Sequence, residues 1–317
     1  MKILITGVHG FVGSNLVSAL QEKNTIYGLD IVAPQKEGVK YTFPWDFLDK
    51  EGEIPPVDAI VHLAGKAHDT KNQAAAEVYF KVNRDLTIKI FDYFCSHPEI
   101  KKFVFFSTAK AAADRVDGVL TEDVVPSPVG PYGESKIAAE NYILSCMRDN
   151  PDAFAGRGVY IFRPCMIHGP GNKGNLNLLY NVVRKGIPWP LGAFENRRTF
   201  TSVENICFAV NGVLTKDVES GIYNMGDDEA LSTNELIEEI CKSLGKKARI
   251  WRLPKGLMTG LAKVGGWLHL PLNPERLRKL TEDYVASNAK IKVALGVERM
   301  PVDAREGLKV TLDSFKG

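Results

Sequence analysis

A phenol and an ammonium at helical spacing make the first claim on the chemistry of this chain. The segment Tyr132-Gly133-Glu134-Ser135-Lys136 places Tyr132 and Lys136 four residues apart, on one face if the segment is helical. A free phenol, with a pKa of about 10, is a poor base at neutral pH. A neighbouring cation favours the phenolate, so Lys136 is expected to draw Tyr132 towards the working range. Thr108 follows the strand-like run Phe105-Phe106-Ser107. From there its hydroxyl can hold a substrate oxygen that alternates between carbonyl and alkoxide character. An isolated Tyr-x-x-x-Lys is ordinarily an exposed helix pair, so the catalytic reading needs support from elsewhere in the chain.

That support stands at the beginning. Residues Thr6-Gly7-Val8-His9-Gly10-Phe11-Val12-Gly13 lie between a strand-like and a helix-like run. Gly7 permits the tight turn, Gly10 lets backbone N–H groups approach a pyrophosphate, and Gly13 lets helix and strand pack closely. Asp30 ends the second apolar run, where a carboxylate meets the hydroxyls of an adenosine ribose. The pattern therefore predicts a dinucleotide. Asp30 opposes the 2′-phosphate of NADP, and the next basic residue is Lys36, so NAD is favoured over NADP. His9 lines the cofactor or faces solvent; Asp46 touches adenine or is a solvated loop acid. With a nicotinamide beside them, Tyr132, Lys136 and Thr108 become a hydride and proton transfer site for a hydroxyl or keto carbon, and the ring's positive charge further favours the phenolate.

The elements that must position these residues follow from periodicity. Short apolar runs at Lys2 to Thr6, Thr25 to Asp30, Ala59 to Leu63, Lys102 to Ser107 and Gly158 to Arg163 alternate with helical spacing at Phe11 to Glu22, Gln73 to Cys95 and Pro131 to Met147. This alternation predicts an α/β fold, a Rossmann-type doubly wound parallel sheet covered on both faces. The glycine- and asparagine-rich residues Gly169 to Asn175 break the pattern, a further strand is expected at Gly221 to Met225, and the remainder reads as a smaller, mostly helical cap. Ser232 or Thr233 caps one helix there and Pro274 opens another. The resulting boundary is discontinuous: residues 1–170 and about 201–226 form the dinucleotide-binding domain, and about 171–200 and 227–317 the substrate-binding cap.

Composition narrows the classes. At 317 residues and 44% hydrophobic content, the chain can bury a sizeable core, and a net charge of +2 without a basic run gives no electrostatic reason for nucleic acid. Five scattered cysteines have neither CxxC nor Cys/His metal spacing, so they read as reduced thiols and no metal site is expected. The opening MKILITGVHGF runs directly into a strand without the features of a secretory leader, which points to the cytoplasm. The weakly polar stretch Gly256 to Leu272 is too short and too broken to span a bilayer. It reads as a cap or oligomer-contact helix in preference to a peripheral membrane contact, and no firm membrane association is expected. His62 reads as a packed strand-end residue, and His68 and His97 have no partner pattern. Trp45, Trp189, Trp251 and Trp267 are too scattered for a stacking platform.

Taken together, TGVHGFVG from Thr6, Asp30, His62-Leu63-Ala64-Gly65, Asn83, Ser107-Thr108, Tyr132 to Lys136, Arg163-Pro164 and His168-Gly169-Pro170-Gly171 resemble the extended short-chain dehydrogenase/reductases of the NAD-dependent epimerase/dehydratase family. The resemblance covers nearly the whole length. It implies that Leu63, Ala64 and Gly65 pass close to the cofactor with Asn83 and Ser107 nearby, that Lys136 also holds the nicotinamide ribose, and that Pro164 borders the nicotinamide. It also implies nucleotide-sugar substrates, expected to be UDP-linked, and a homodimer built by pairing helices.

Within the family, Asn196-Arg197-Arg198-Thr199-Phe200 resembles a segment in which an arginine precedes an aromatic. A diphosphate calls for a bidentate, permanently charged donor. Arg198 is the first candidate and Arg197 the second, with Arg276 or Arg278 closing from the cap. Asn175 and Asn177 are similar to positions that meet sugar or phosphate. A 4,6-dehydratase needs an additional acid and base, an Asp-Glu pair after the threonine in that family; here Ala109 and Lys110 follow Thr108, which disfavours dehydration. Lys110 itself either approaches the substrate or is a solvated loop lysine. The region after Gly171 is most similar to 4-reductases of UDP-4-keto-6-deoxy-N-acetylhexosamines in bacterial surface-polysaccharide synthesis. A UDP-glucose 4-epimerase type of reaction is the alternative, and a non-catalytic NAD-binding sensor is remote, because a sensor has no need of Tyr132, Lys136 and Thr108 together.

Overall fold

The computed structural model describes residues 1–32, 34–49, 54–67, 75–172, 174–268 and 272–316. The strands are β1 (Lys2–Thr6), β2 (Thr25–Leu29), β3 (Tyr41–Phe43), β4 (Ala59–His62), β5 (Lys102–Phe106), β6 (Val119–Leu120), β7 (Gly158–Pro164), β8 (Met166–His168), β9 (Phe200–Ser202), β10 (Gly221–Met225) and β11 (Val285–Ala286). Seven of them form one parallel sheet in the order β10-β7-β5-β4-β1-β2-β3. The remainder pair in two small parallel ladders, β6 with β11 and β8 with β9.

In the central strands, Ile3 to Ile5, Ala59 to Val61 and Phe103 to Phe105 are apolar and fully buried, as expected when helices cover both faces. One face packs on helices Phe11–Leu20, Val203–Thr215 and Ala289–Leu295 through Leu16, Ile206, Val210, Ile291 and Leu295. The other packs on Leu86–Ser96 and Pro131–Asp149 through Phe91, Phe94, Ala139 and Ile143. A separate core joins Asn175–Arg184, Thr233–Ser243 and Ala304–Ser314 through Tyr180, Ile237, Ile240 and Leu308. Ser232 caps the middle of these three helices and forms a reciprocal capping box with Glu235.

The sheet order reverses between β1 and β4, and ligands of doubly wound sheets bind beyond the strand ends at such a point. The chain there is pinned by a satisfied polar relay. Thr6 Oγ1 accepts from the Leu63 and Ala64 N–H groups at 3.1 and 3.0 Å and lies 2.6 Å from His62 Nδ1. His62 Nε2 lies 2.9 Å from Thr87 Oγ1, which donates to the Asn83 carbonyl. Thr87 thus has its proton committed, so His62 is read as the Nε2–H tautomer, accepting from Thr6 at Nδ1. Its role is structural.

The expected helix Gln73 to Cys95 differs from the structure. Gln73 lies outside the described residues, as do His68, Lys173 and residues 269–271, and the helical path Ala76–Tyr79 and Leu86–Ser96 is interrupted by a π turn at Phe80–Asp85. The turn contains Asn83, whose fully buried amide reaches out of the helix to other elements. Such a widened turn arises where side-chain bonds outweigh regular helix geometry.

Candidate active site

At the C-terminal ends of β1, β4 and β5 lies a cavity of about 460 Å³. Gly7, Gly10, Phe11, Val12 and Gly13 form one wall, Leu63 and Gly65 the next, and Ser107, Thr108, Tyr132, Lys136 and Pro164 the floor; Asn175 and Arg198 stand on the cap side. Residues distant in sequence thus meet in one space.

The glycine turn is shaped for close approach. Gly7 has φ +68°, and a Cβ there would sit 2.9 Å from the Ala64 nitrogen; one on Gly13 would sit 2.4 Å from the Gly7 carbonyl oxygen. The helix Phe11–Leu20 begins without a side-chain cap and without an acid in its first turn, so its N–H groups and dipole are directed at the cavity. Asp30 lies just past β2 and accepts from the His9 and Ile31 N–H groups at 3.0 and 2.8 Å. The His9 Nε2 is buried without a protein partner. This cradle, with a carboxylate at its rim, fits a dinucleotide. When bound, the nicotinamide supplies and accepts the hydride.

Around the reacting position, Thr108 ends the strand β5 region and caps the short helix Ala109–Ala112, accepting from the Lys110 N–H. Tyr132 and Lys136 project from the first turns of Pro131–Asp149, where Pro131 suits the helix start. The Tyr132 phenol is hydrogen-bonded to the Thr108 hydroxyl. Burial nevertheless pushes its pKa above the ordinary value, because that bond offsets the lost hydration only in part. This corrects the expectation that Lys136 lowers it. The ammonium is turned instead to the Phe106 carbonyl, 2.7 Å away. Burial lowers Lys136 to about 8, against the opposing pull of Glu140.

Beneath the site lies an ion pair that the sequence motifs did not single out. Arg163 donates to Glu140 through Nε, 3.1 Å from each carboxylate oxygen, and through Nη2 at 2.5 Å, with both residues almost wholly buried. Ser107 Oγ donates to the same carboxylate. Glu140 is one turn beyond Lys136, so one buried anion links the Lys136 helix, the Thr108 strand and β7. The available signal was its i+4 spacing from Lys136, facing the Arg163 of the Arg-Pro pair.

Other expected residues act from outside the cavity or lie apart. Asn83 accepts from the Lys66 N–H at 2.7 Å and donates to Ser135 Oγ at 3.0 Å, holding the loop after β4 against the helix Pro131–Asp149. Ala64 is fixed by Thr6. Asp46 lies on a 3₁₀ turn after β3, away from the cavity wall. Asn177 does not line the cavity and instead accepts from Asn181 at 3.0 Å. Arg197 and Arg276 stand outside the cavity wall, while Arg278 pairs with Glu282 at 2.6 Å and Asp114 at 3.3 Å. Lys110 lines the cavity but is tied to Asp114 and lies 4.5 Å above the Tyr284 ring. Tyr284, Cys165, Asn172 and Thr199 are also part of the wall. Among the described residues no group of three or more His, Cys, Asp or Glu is arranged for a metal ion.

Residues 3–226 match the model of the NAD dependent epimerase/dehydratase family. The chain belongs to this family. An epimerase/dehydratase of this type works with NAD on nucleotide sugars, in keeping with the cavity's glycine cradle and its Tyr-Lys-Thr floor. Among curated relatives, the UDP-glucose 4-epimerase of Vibrio cholerae is 29% identical over 268 residues, 80% of this chain and 78% of that protein. The N-acetyl-alpha-D-glucosaminyl-diphospho-ditrans,octacis-undecaprenol 4-epimerase of Escherichia coli O157:H7 is 26% identical over 300 residues, 92% of this chain and 84% of the relative. Among solved structures, the Thermus thermophilus UDP-glucose 4-epimerase in complex with NAD is similar with a TM-score of 0.74 and 26% identity, covering 100% of this chain and 99% of that one.

Proposed function

We propose that this epimerase/dehydratase family member holds NAD and carries out oxidoreduction at C4 of a diphosphate-linked sugar, UDP-linked in the first instance, with net epimerisation at that carbon. The observation that carries this reading is the convergence of the Tyr132 phenol and Thr108 hydroxyl on one floor of the cavity, opposite the glycine cradle. Tyr132 moves the proton of the sugar hydroxyl, and Thr108 holds the same oxygen in both of its states. Lys136, fixed on the Phe106 carbonyl, keeps a positive charge below the reacting oxygen. Arg198 presents the diphosphate donor on the cap side.

Residues 1–170 with about 201–226 serve as the dinucleotide domain in this reading, and the rest as the substrate cap. The two relatives named above carry their sugars on different diphosphates, a nucleoside in one and a polyprenol in the other, so both carriers belong in the assay. The 4-keto reductase remains as a second reading because the region after Gly171 is similar to such reductases. A homodimer would use the groove between Ile88 and Tyr142 on the paired helices.

Incubation with UDP-glucose, UDP-N-acetylglucosamine and the polyprenyl-diphosphate sugar should interconvert C4 epimers without net coenzyme consumption. Stoichiometric loss of NADH or NADPH with a UDP-4-keto-6-deoxy sugar, and no epimerisation, would replace this assignment with the reductase.

A further inference from the structure

We propose that the helix Lys255–Trp267 is a membrane-surface anchor, docking the protein on an anionic lipid bilayer. Met258, Ala262 and Gly265 face inward, packing near Leu191 and Leu277. The flank about a quarter-turn from that packed face is exposed. Leu257, Leu261, Val264 and Leu268 recur at helical spacing with about half of each side chain exposed, and Trp267 beside them is 81% exposed. A stripe of this kind is costly to leave in water.

Charge selects the occupant. From Ile240 to Pro274 the sequence contains no Asp or Glu and seven Lys or Arg residues: Lys242, Lys246, Lys247, Arg249, Arg252, Lys255 and Lys263. All seven are exposed. Two have acidic neighbours elsewhere on the surface, Lys242 with Glu239 at 3.6 Å and Arg252 with Glu195 at 4.0 Å. An exposed leucine-tryptophan stripe within a wholly basic segment matches the interfacial depth and surface potential of an anionic bilayer. A second copy fits less well, since two-fold pairing would set basic segment against basic segment. The stripe lies too short for a span; among the described residues no helix is long and apolar enough to cross a membrane.

The anchor stands next to the substrate side of the cavity. Its helix packs on Pro274–Thr281 through Met258, Ala262 and Leu277, and the Lys279 carbonyl of that second helix accepts from Arg198. Docking therefore holds the cavity one helix away from the lipid surface. On the function proposed above, this is where a lipid-carried sugar diphosphate is presented, although surface binding itself does not depend on that reading.

The test is flotation of the intact protein with vesicles of phosphatidylcholine alone or mixed with phosphatidylglycerol. The protein should float with the mixed vesicles, at least tenfold less with the neutral ones, and less in high salt. Leu261→Asp with Trp267→Ser should abolish flotation while UDP-hexose turnover without vesicles is retained. Lys246→Glu with Lys247→Glu, at exposed positions away from the packed face, should weaken it several-fold. Failure of the unaltered protein to float with mixed vesicles, or equal flotation of the Leu261/Trp267 variant, would overturn the proposal. So would a dimer, seen by sedimentation velocity without lipid, that this variant dissociates, since a second copy would then own the stripe. Flotation together with absent turnover of every sugar would leave the anchor standing and remove the epimerase assignment alone.

Discussion

The chemistry of single residues is set here by burial. Tyr132 holds its proton more tightly than a free phenol, so it rests protonated, and it acts as a base only when a bound cation lowers its proton affinity. Tyr132→Phe should reduce turnover by about 10²–10⁴-fold while NAD binding, followed by fluorescence quenching, stays intact. Glu140 acts through its neighbours. Glu140→Gln leaves the Arg163 guanidinium buried without its counter-charge and should cost about 3–5 kcal/mol in urea unfolding. It also removes the pull that raises the Lys136 pKa, now about 8, so the alkaline limb of kcat should move to lower pH; a purely structural glutamate would leave that limb in place. His62 is held neutral well below its ordinary 6.5, chiefly by burial and secondly by Lys136. The unfolded chain binds this proton at about pH 6.5 and the folded chain only at lower pH, so stability should fall as pH drops below 6.5, by at most about 1.4 kcal/mol per unit from this group. His62→Gln should flatten that slope in pH-dependent thermal melts.

At the scale of elements, the regular parts were legible because each satisfies a local rule. β1 and β10 have the expected bounds, and β2, β4, β5 and β7 lie within a residue of theirs, because their apolar runs must be buried on both faces. The helix beginning at Phe11 follows from the glycine turn, and Pro274 opens its helix at the expected place. The π turn Phe80–Asp85 was not legible, since the amide bonds of Asn83 that shape it join segments 17 and 52 residues away. Tyr284 was not legible either, because it enters the cavity from a segment with no motif of its own, whereas Cys165 directly follows the Arg163-Pro164 pair. Tyr132, Lys136, Thr108 and the glycines could be read because their spacing is itself the device. The closeness of β1 to its helix is testable. Gly13→Ala sets a methyl group 2.4 Å from the Gly7 carbonyl oxygen, and should abolish NAD binding and lower the melting temperature by several degrees in calorimetry.

On the whole molecule, the glycine turn and the Asn175 and Arg198 segments line one cavity, and the proposed function assigns cofactor to the first and substrate to the second. Arg198 is the basic cap-side residue in the cavity wall, so Arg198→Lys, which keeps charge but loses the bidentate fork, should raise the KM for a UDP-sugar about tenfold or more and leave NAD affinity unchanged in titration calorimetry. The chain passes repeatedly between the two cores. After the helix Asn175–Arg184 it returns through Val203–Thr215 and β10, departs again for Thr233–Ser243, comes back with Ile291 and Leu295, and ends on the helical core with Leu308 and Leu312. A cap interwoven in this manner cannot be inherited, exchanged or engineered as a contiguous cassette. New sugar preferences on this scaffold must arise by piecemeal substitution within the wall, with the cofactor half constraining each step.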